Sequence, residues 1–245
     1  MNAEKKIAVV TGASRGIGKA IAIELAGKDT NIVINCVNNV DKLNEVKSII
    51  EEKGSVCETF IGDMGNYSDV QKMFDMCLQR FGQVDVLINN AGISVVGLFQ
   101  DMGENEWHRI CNTNIDSVFN CCHFAVKDMM KRHCGKIINI SSVWGLYGAS
   151  CEVAYSATKG AVNSFTKALA KELAPSGIQV NAVACGAIDT EMNGHLSDDD
   201  KAELAEEIPA GRFGSPQEVA KLVKSLSGMN SYLTGQIITL DGGWI

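Results

Sequence analysis

The sequence predicts an α/β fold: one doubly wound parallel sheet of seven strands with helices on both faces. Short runs rich in Val and Ile alternate with longer amphipathic stretches, the pattern of successive βαβ units. Several runs are apolar almost without interruption, as in Ile7-Ala8-Val9-Val10, which suits strands covered by helices on both sides. A glycine cluster also stands at the first strand-to-helix crossover, where such a sheet receives a ligand.

Taken in order, the strands are expected at Ile7–Val10, Asn31–Cys36, Val56–Ile61, Val84–Asn89, Lys136–Ile140, Ile178–Ala184 and Gln236–Leu240. Helices are expected near 17–28, 41–53, 68–80, 104–132, 152–174 and 216–227. No repeat or Pro-rich linker divides the 245 residues, so 1–245 reads as one domain. Between Ala187 and Phe213 the acidic runs Asp198-Asp199-Asp200 and Glu206-Glu207 break the alternation. This segment, 187–213, reads either as a substrate lid with short helices or as a solvated acidic loop.

Composition narrows the function. With 22 basic and 29 acidic side chains the net charge is −7, and no Lys/Arg cluster broad enough for nucleic acid occurs. Apolar runs fall short of a membrane span, and the N-terminal Met1-Asn2-Ala3-Glu4 leads into a strand without a leader-like stretch, so a cytoplasmic protein is expected. Nine cysteines without a C-x-x-C pair suggest buried small hydrophobes, not disulfides or zinc. His108, His123, His133 and His195 show no paired ligand spacing, so no metal is expected.

The first strand runs into Thr11-Gly12-Ala13-Ser14-Arg15-Gly16-Ile17-Gly18 and then a helical stretch. Glycines at 12, 16 and 18 allow a sharp turn and close backbone approach to a pyrophosphate, and the free N–H groups of the helix start favour the anion. After the second strand, where an acid would hold an NAD ribose, the chain reads Val37-Asn38-Asn39, while Arg15 offers a cation for a 2′-phosphate. NADP(H) is therefore expected over NAD(H). Asp63, after the third strand, is a candidate acceptor for the adenine amino group, or else an N-cap of the next helix.

With Asn89-Asn90-Ala91-Gly92 after the fourth strand and Tyr155-Ser156-Ala157-Thr158-Lys159 on a helix, the chain resembles the short-chain dehydrogenase/reductase family along essentially its whole length. Asn181-Ala182-Val183, Pro209-Ala210-Gly211-Arg212-Phe213-Gly214 and Leu240-Asp241-Gly242-Gly243 bring it nearest to the 3-oxoacyl-[acyl-carrier-protein] reductase branch. The resemblance implies a Rossmann domain, an NADPH-dependent reduction in fatty acid synthesis, acyl-carrier protein as partner and a homotetramer. Tyr155 and Lys159, four apart, lie on one helix face and can address one substrate atom. A neighbouring ammonium and the oxidised nicotinamide are expected to lower the phenol, making Tyr155 the general acid of reduction.

By resemblance Ser142 holds the substrate carbonyl, with Ser141 as the neighbouring alternative, and Asn114 holds a proton-relaying water, with Asn112 as the possible misassignment. Resemblance also places Gly12, Ser14, Arg15, Gly16, Ile17, Gly18, Asp63, Asn90, Ala91, Gly92, Tyr155, Lys159, Ile188 and Thr190 around the cofactor. Ser94, Val96, Val143, Trp144, Tyr147, Gly148, Cys151, Ala187 and Met192 are the candidate pocket residues, and their aromatic content also suits a flat ligand. Hence a hydroxysteroid or other secondary-alcohol dehydrogenase is the alternative with the same chemistry. A non-catalytic dinucleotide sensor is the alternative of another class.

Two departures stand out. Relatives carry Pro-Gly after the sixth strand, where this chain has Cys185-Gly186, either a change in loop stiffness with a thiol near the cofactor or a packing substitution. Lys127, Lys131 and Arg132 form the basic cluster expected beside the site for an acidic carrier, whereas Ser176 replaces a second basic residue. Val118, Phe119, Phe124, Val162, Phe165, Leu169 and the terminal Trp244-Ile245 are either tetramer contacts or helix-on-sheet core.

Overall fold

A strand covered on both faces must be apolar along its buried length, as β1 (Lys6–Val10) is from Ile7 onward. Ile7 and Val9 enter one core of the computed structural model, Ala8 and Val10 the other. The structure describes residues 5–194, 196–228 and 232–245; the readings made on Met1–Glu4 and His195 lie outside them.

The chain continues through α1 (Gly16–Leu25), β2 (Thr30–Cys36), α2 (Val40–Glu52), β3 (Cys57–Ile61), α3 (Tyr67–Phe81) and β4 (Val86–Asn89). There follow α4 (Glu104–Cys111), α5 (Ser117–Arg132), β5 (Gly135–Ser142), α6 (Trp144–Tyr147) and α7 (Val153–Leu173). Last come β6 (Ile178–Cys185), α8 (Asp198–Glu207), α9 (Pro216–Gly228) and β7 (Ile237–Leu240). All strands are parallel in the order β3-β2-β1-β4-β5-β6-β7. Helices α1, α2 and α9 cover one face; α3, α5 and α7 cover the other. The order reverses between β1 and β4, so their carboxyl ends frame the crevice in which ligands of such sheets bind.

The expected elements are present with shifted ends, and one differs in kind. The helix expected over 104–132 is broken by a wider turn at Asn112–Asp116, a π-turn between α4 and α5. Such turns insert a residue and rotate the helix beyond them, and they concentrate at functional sites. The acidic run at 198–200 is the first turn of α8, capped by Ser197 in a reciprocal pair with Asp200, where negative charge suits the helix dipole. Among the described residues no helix is long and apolar enough to cross a membrane.

The approach of the first two loops explains the glycines. A side chain at Gly18 would stand 2.3 Å from the Gly12 carbonyl oxygen and 2.4 Å from Asn90 Nδ2. Gly18→Ala is expected to lower stability by about 2–3 kcal/mol through overpacking, roughly 4–12 °C in melting temperature at this chain length. Gly27→Ala, which meets nothing within 4 Å, should leave the melting temperature nearly unchanged. Equal melting curves for the two variants would contradict the packing account.

Candidate active site

The site is built at the carboxyl ends of β1, β4 and β5 and on the first turns of α7. Its least expected part is the π-turn. Asn114, buried within it, accepts the Ile93 N–H at 2.8 Å on Oδ1 and donates through Nδ2 to the Ile93 carbonyl at 2.9 Å and to Thr158 Oγ1 at 3.1 Å. Asn112, two residues earlier, points elsewhere and donates to Asp63 at 3.4 Å. The candidate and its possible misassignment are thus separated by geometry: Asn114 lies with Lys159, Asn112 does not.

Lys159 is buried, and its Nζ donates to the Ile140 carbonyl at 2.8 Å and stands 5.6 Å from the centre of the Tyr155 ring. Gly92 shows how close the parts are. A Cβ there would be 3.4 Å from both Asn114 Oδ1 and Lys159 Nζ, so the missing side chain keeps open the space in which amide and ammonium meet. Burial pulls the Lys159 ammonium down to about 8, opposed by the facing Cys185.

In the free chain burial governs Tyr155. Burial pushes its phenol above the ordinary tyrosine range, only partly offset by the hydrogen bond from the Ser142 side chain, with Cys185 and Glu152 adding to the rise. The ammonium lies over the ring and bonds a backbone carbonyl, so in the free chain it does not lower the phenol. The hydroxyl is held protonated, the form an acid needs.

Ser142 closes β5; its Oγ accepts the Trp144 N–H at 3.2 Å, and its own proton is directed to the Tyr155 hydroxyl. Ser141 points to the other side of the sheet, donating to Asn163 Oδ1 at 2.6 Å, which sets it apart from the site. Cys185 is buried next to Ser142 in the sheet register, and burial holds its thiol up at about 12. It is a packed, protonated thiol, the second of its two sequence readings.

The glycine loop lies across the crevice. No side chain caps the N-terminus of α1, so its first N–H groups are open to an anion. Asn90 Nδ2 donates to the carbonyls of Thr11 and Gly12 at 2.9 and 3.0 Å, and Thr11 Oγ1 accepts the N–H groups of Asn90 and Ala91. Asn90 and Ala91 therefore shape the loop through these bonds. Ser14 is buried in the loop, and Thr190 lies across from Gly16, its methyl 3.6 Å from where a Cβ would be. The Ile188 carbonyl is taken by Asn193 Nδ2 at 2.8 Å, which leaves its N–H as the group for a ligand. This uncapped, glycine-lined cradle beside a buried ammonium fits a dinucleotide.

Other candidates fall differently. Asp63 does not cap α3; Asn66 does, accepting the N–H groups of Ser68 and Asp69, while Asp63 Oδ1 accepts that of Gly65 at 2.9 Å. Arg15 and Lys42 both reach the exposed Glu191 carboxylate, at 2.7 and 3.0 Å, and hold it below the usual carboxylate range. Val143, the N-cap of α6 directly after β5, is only 1% exposed and leaves the pocket set. Trp144 meets Trp244 edge to face, with ring centres 4.9 Å apart. The basic cluster is also displaced: α5 runs back to the amino ends of the strands, so Arg132 lies a strand length from Ser142, paired with Asp85 at 2.8 Å and Asp128 at 2.9 Å. Within one chain it cannot flank the site.

Two positioning residues escaped the sequence reading. Thr158 links Asn114 to the Tyr155 carbonyl, donating to the latter at 2.8 Å. Asn35, buried in β2, accepts the Gly12 N–H at 3.4 Å and donates to the carbonyls of Phe60 and Gly62 at 3.2 and 3.0 Å, tying the glycine loop to the end of β3. Its signal was an amide within the apolar run Ile32-Val33-Ile34-Asn35-Cys36.

The whole chain has relatives among known proteins. The family model described as short chain dehydrogenase matches residues 6–201. The chain is 41% identical over 239 residues to the 3-oxoacyl-[acyl-carrier-protein] reductase FabG of Staphylococcus epidermidis, covering 97% of this chain and 98% of that protein. The FabG of Staphylococcus aureus is likewise 41% identical, with 97% of each chain covered, and that of Salmonella typhimurium is 39% identical over 244 residues, 99% of this chain and 98% of its own.

Lys159 also leaves a thermodynamic trace. Unfolded, its amine keeps its proton until about 10.5; folded, only until about 8. Between these values the unfolded chain binds more protons, so unfolding free energy should rise with pH relative to a Lys159→Met variant. Urea unfolding of both proteins across that window tests it, and a pH-independent difference would contradict the burial argument.

Proposed function

The chain belongs to the short-chain dehydrogenase family and is an oxidoreductase acting on CH–OH and C=O groups, and from that premise we propose that it reduces a 3-oxoacyl thioester, carried on acyl-carrier protein, to the 3-hydroxyacyl product in fatty acid synthesis. The observation that carries this reading is that Asn114 and Lys159 border the space Gly92 leaves open, with Lys159 over the Tyr155 ring and Ser142 hydrogen-bonded to the Tyr155 hydroxyl, in a chain similar along its length to such reductases. NADPH is the proposed reductant: the N-terminus of α1, Gly12, Ser14, Gly16, Ile17 and Gly18 hold its phosphates and Arg15 its 2′-phosphate. Ile188, Thr190, Lys159 and Gly92 would hold the nicotinamide half, and Asp63 would accept the adenine amino group. When bound, the dinucleotide supplies the hydride to the carbonyl carbon.

The protein supplies the rest. Ser142, whose oxygen is occupied by the Trp144 N–H, donates its proton toward the substrate oxygen. Tyr155, held protonated by burial, gives its proton to the same oxygen as negative charge develops there. Lys159 then stabilises the phenolate, and its titration near 8 lets it pass a proton on at physiological pH. Asn114, locked at three bonds, holds a water that returns the proton from solvent.

The aromatic residues that suggested a flat steroid-like ligand are otherwise engaged or outward: Trp144 packs edge to face on Trp244 and Tyr147 is exposed. That favours the acyl chain. The carrier protein is proposed on the strength of the similar reductases, since Arg132 is bound in ion pairs away from the mouth. The segment 187–213 serves as the lid of the single domain. A cytoplasmic homotetramer is proposed, with the exposed Phe119 of α5 among its contacts.

Side-by-side rates with an acetoacetyl thioester, a 3-keto steroid and simple ketones, each with NADPH and NADH, test the proposal. The thioester with NADPH should be fastest; a much faster steroid would overturn the substrate class. Tyr155→Phe should lower kcat by about 10³-fold with nucleotide binding retained, and Ser142→Ala by about 10²-fold or more. Substantial turnover in Tyr155→Phe would remove the phenol from its role.

A further inference from the structure

Glu191 makes contacts that neither the proposed reaction nor the fold requires. It opens the short turn Glu191–Asn193 directly after Thr190, and its carboxylate spans two cations from elements far away in sequence. Arg15 Nη1 donates to Oε2 at 2.7 Å from the end of the glycine loop, and Lys42 Nζ donates to Oε1 at 3.0 Å from the first turn of α2. All three side chains are about half exposed, so the pairing is open to competition from solvent ions and ligands.

The location gives these contacts a meaning. Arg15 and Lys42 stand on the two segments that flank the end of β2, where an adenosine ribose lies in sheets of this kind. Lys42 is, moreover, a cation in the first turn of a helix, where the dipole disfavours it and a neighbouring anion offsets that cost. In the free chain the anion it bonds is Glu191, with Asp41 in the same turn. The two cationic groups are close enough for one carboxylate to bridge, and a phosphate has the same reach and more charge.

We propose that Glu191 determines nucleotide specificity as an internal competitor: its carboxylate occupies the Arg15–Lys42 pair that receives the 2′-phosphate, and a 2′-phosphorylated nucleotide binds by displacing it. Lys42 is then the second cation of that subsite, alongside Arg15. An unphosphorylated nucleotide offers nothing to exchange for the carboxylate and leaves the pair closed. This inference rests on the reading of Arg15 as the NADP(H) ligand.

The test is binding, without turnover. Dissociation constants of adenosine 2′,5′-bisphosphate and of 5′-AMP are measured by calorimetry on the full chain at low ionic strength. Glu191→Gln should tighten the bisphosphate by about threefold to tenfold, the scale of two exposed ion pairs, with 5′-AMP unchanged. Lys42→Met should weaken the bisphosphate selectively, and added salt should narrow the difference between wild type and Glu191→Gln. Equal shifts for both ligands in Glu191→Gln, or none, would overturn the proposal. Arg15→Met separates the two possible failures: if it weakens the bisphosphate while Glu191→Gln changes nothing, the competitor role alone falls. If Arg15→Met has no effect either, the NADP(H) reading falls with it.

Discussion

One buried ammonium organises the active edge of this protein. Lys159 is held by a backbone carbonyl of β5, lies over the ring of the phenol it serves, and meets the Asn114 amide across the gap at Gly92. Burying a charge with so few partners is unfavourable, and the lowered affinity of Lys159 for its proton records that cost. The surroundings must therefore be rigid. They are: Thr158 ties Asn114 to α7, and the π-turn fixes Asn114 from the other side.

The same economy governs the hydroxyls. Ser142 has its oxygen committed to the Trp144 N–H and its proton directed to the Tyr155 hydroxyl, while Ser141, one residue earlier, spends its proton on Asn163 of α7. Two adjacent serines with the same chemistry thus acquire opposite roles from the pleat alone. Tyr155 is kept protonated by burial in the free chain, so it is ready as an acid before any ligand arrives. Cys185, in place of a proline, adds a thiol to this pocket without adding reactivity, because the burial that raises it keeps it protonated.

Across the crevice the glycine loop is stiffened by amides that the loop's own sequence does not contain. Asn35 reaches it from β2 and Asn90 from β4, and both satisfy backbone groups that a tight turn leaves over. The exposed outer edge of the same loop is electrostatic instead of packed: Arg15 meets Lys42 around Glu191. A rigid phosphate cradle beside an exchangeable ion cluster is a sensible division of labour. The cradle binds what all dinucleotides share, and the cluster meets what distinguishes them.

Local pattern alone determined a great deal here. Continuous apolar runs between amphipathic stretches specify the parallel sheet, because a strand covered on both faces has no polar position to spare. Gly12, Gly16 and Gly18 declare the loop, and the four-residue spacing of Tyr155 and Lys159 puts them on one helix face, for reasons of backbone geometry over a few residues. What local pattern could not settle are the choices made by partners far along the chain. The π-turn that separates Asn114 from Asn112, the inward turn of Val143, the placement of Arg132 at the opposite sheet edge and the capture of Arg15 by a carboxylate 176 residues away were each decided by tertiary structure. Periodicity encodes which face a residue occupies; only packing brings a distant charge or amide to that face, since the free energy of such contacts depends on burial and distance that exist only once the sheet has formed.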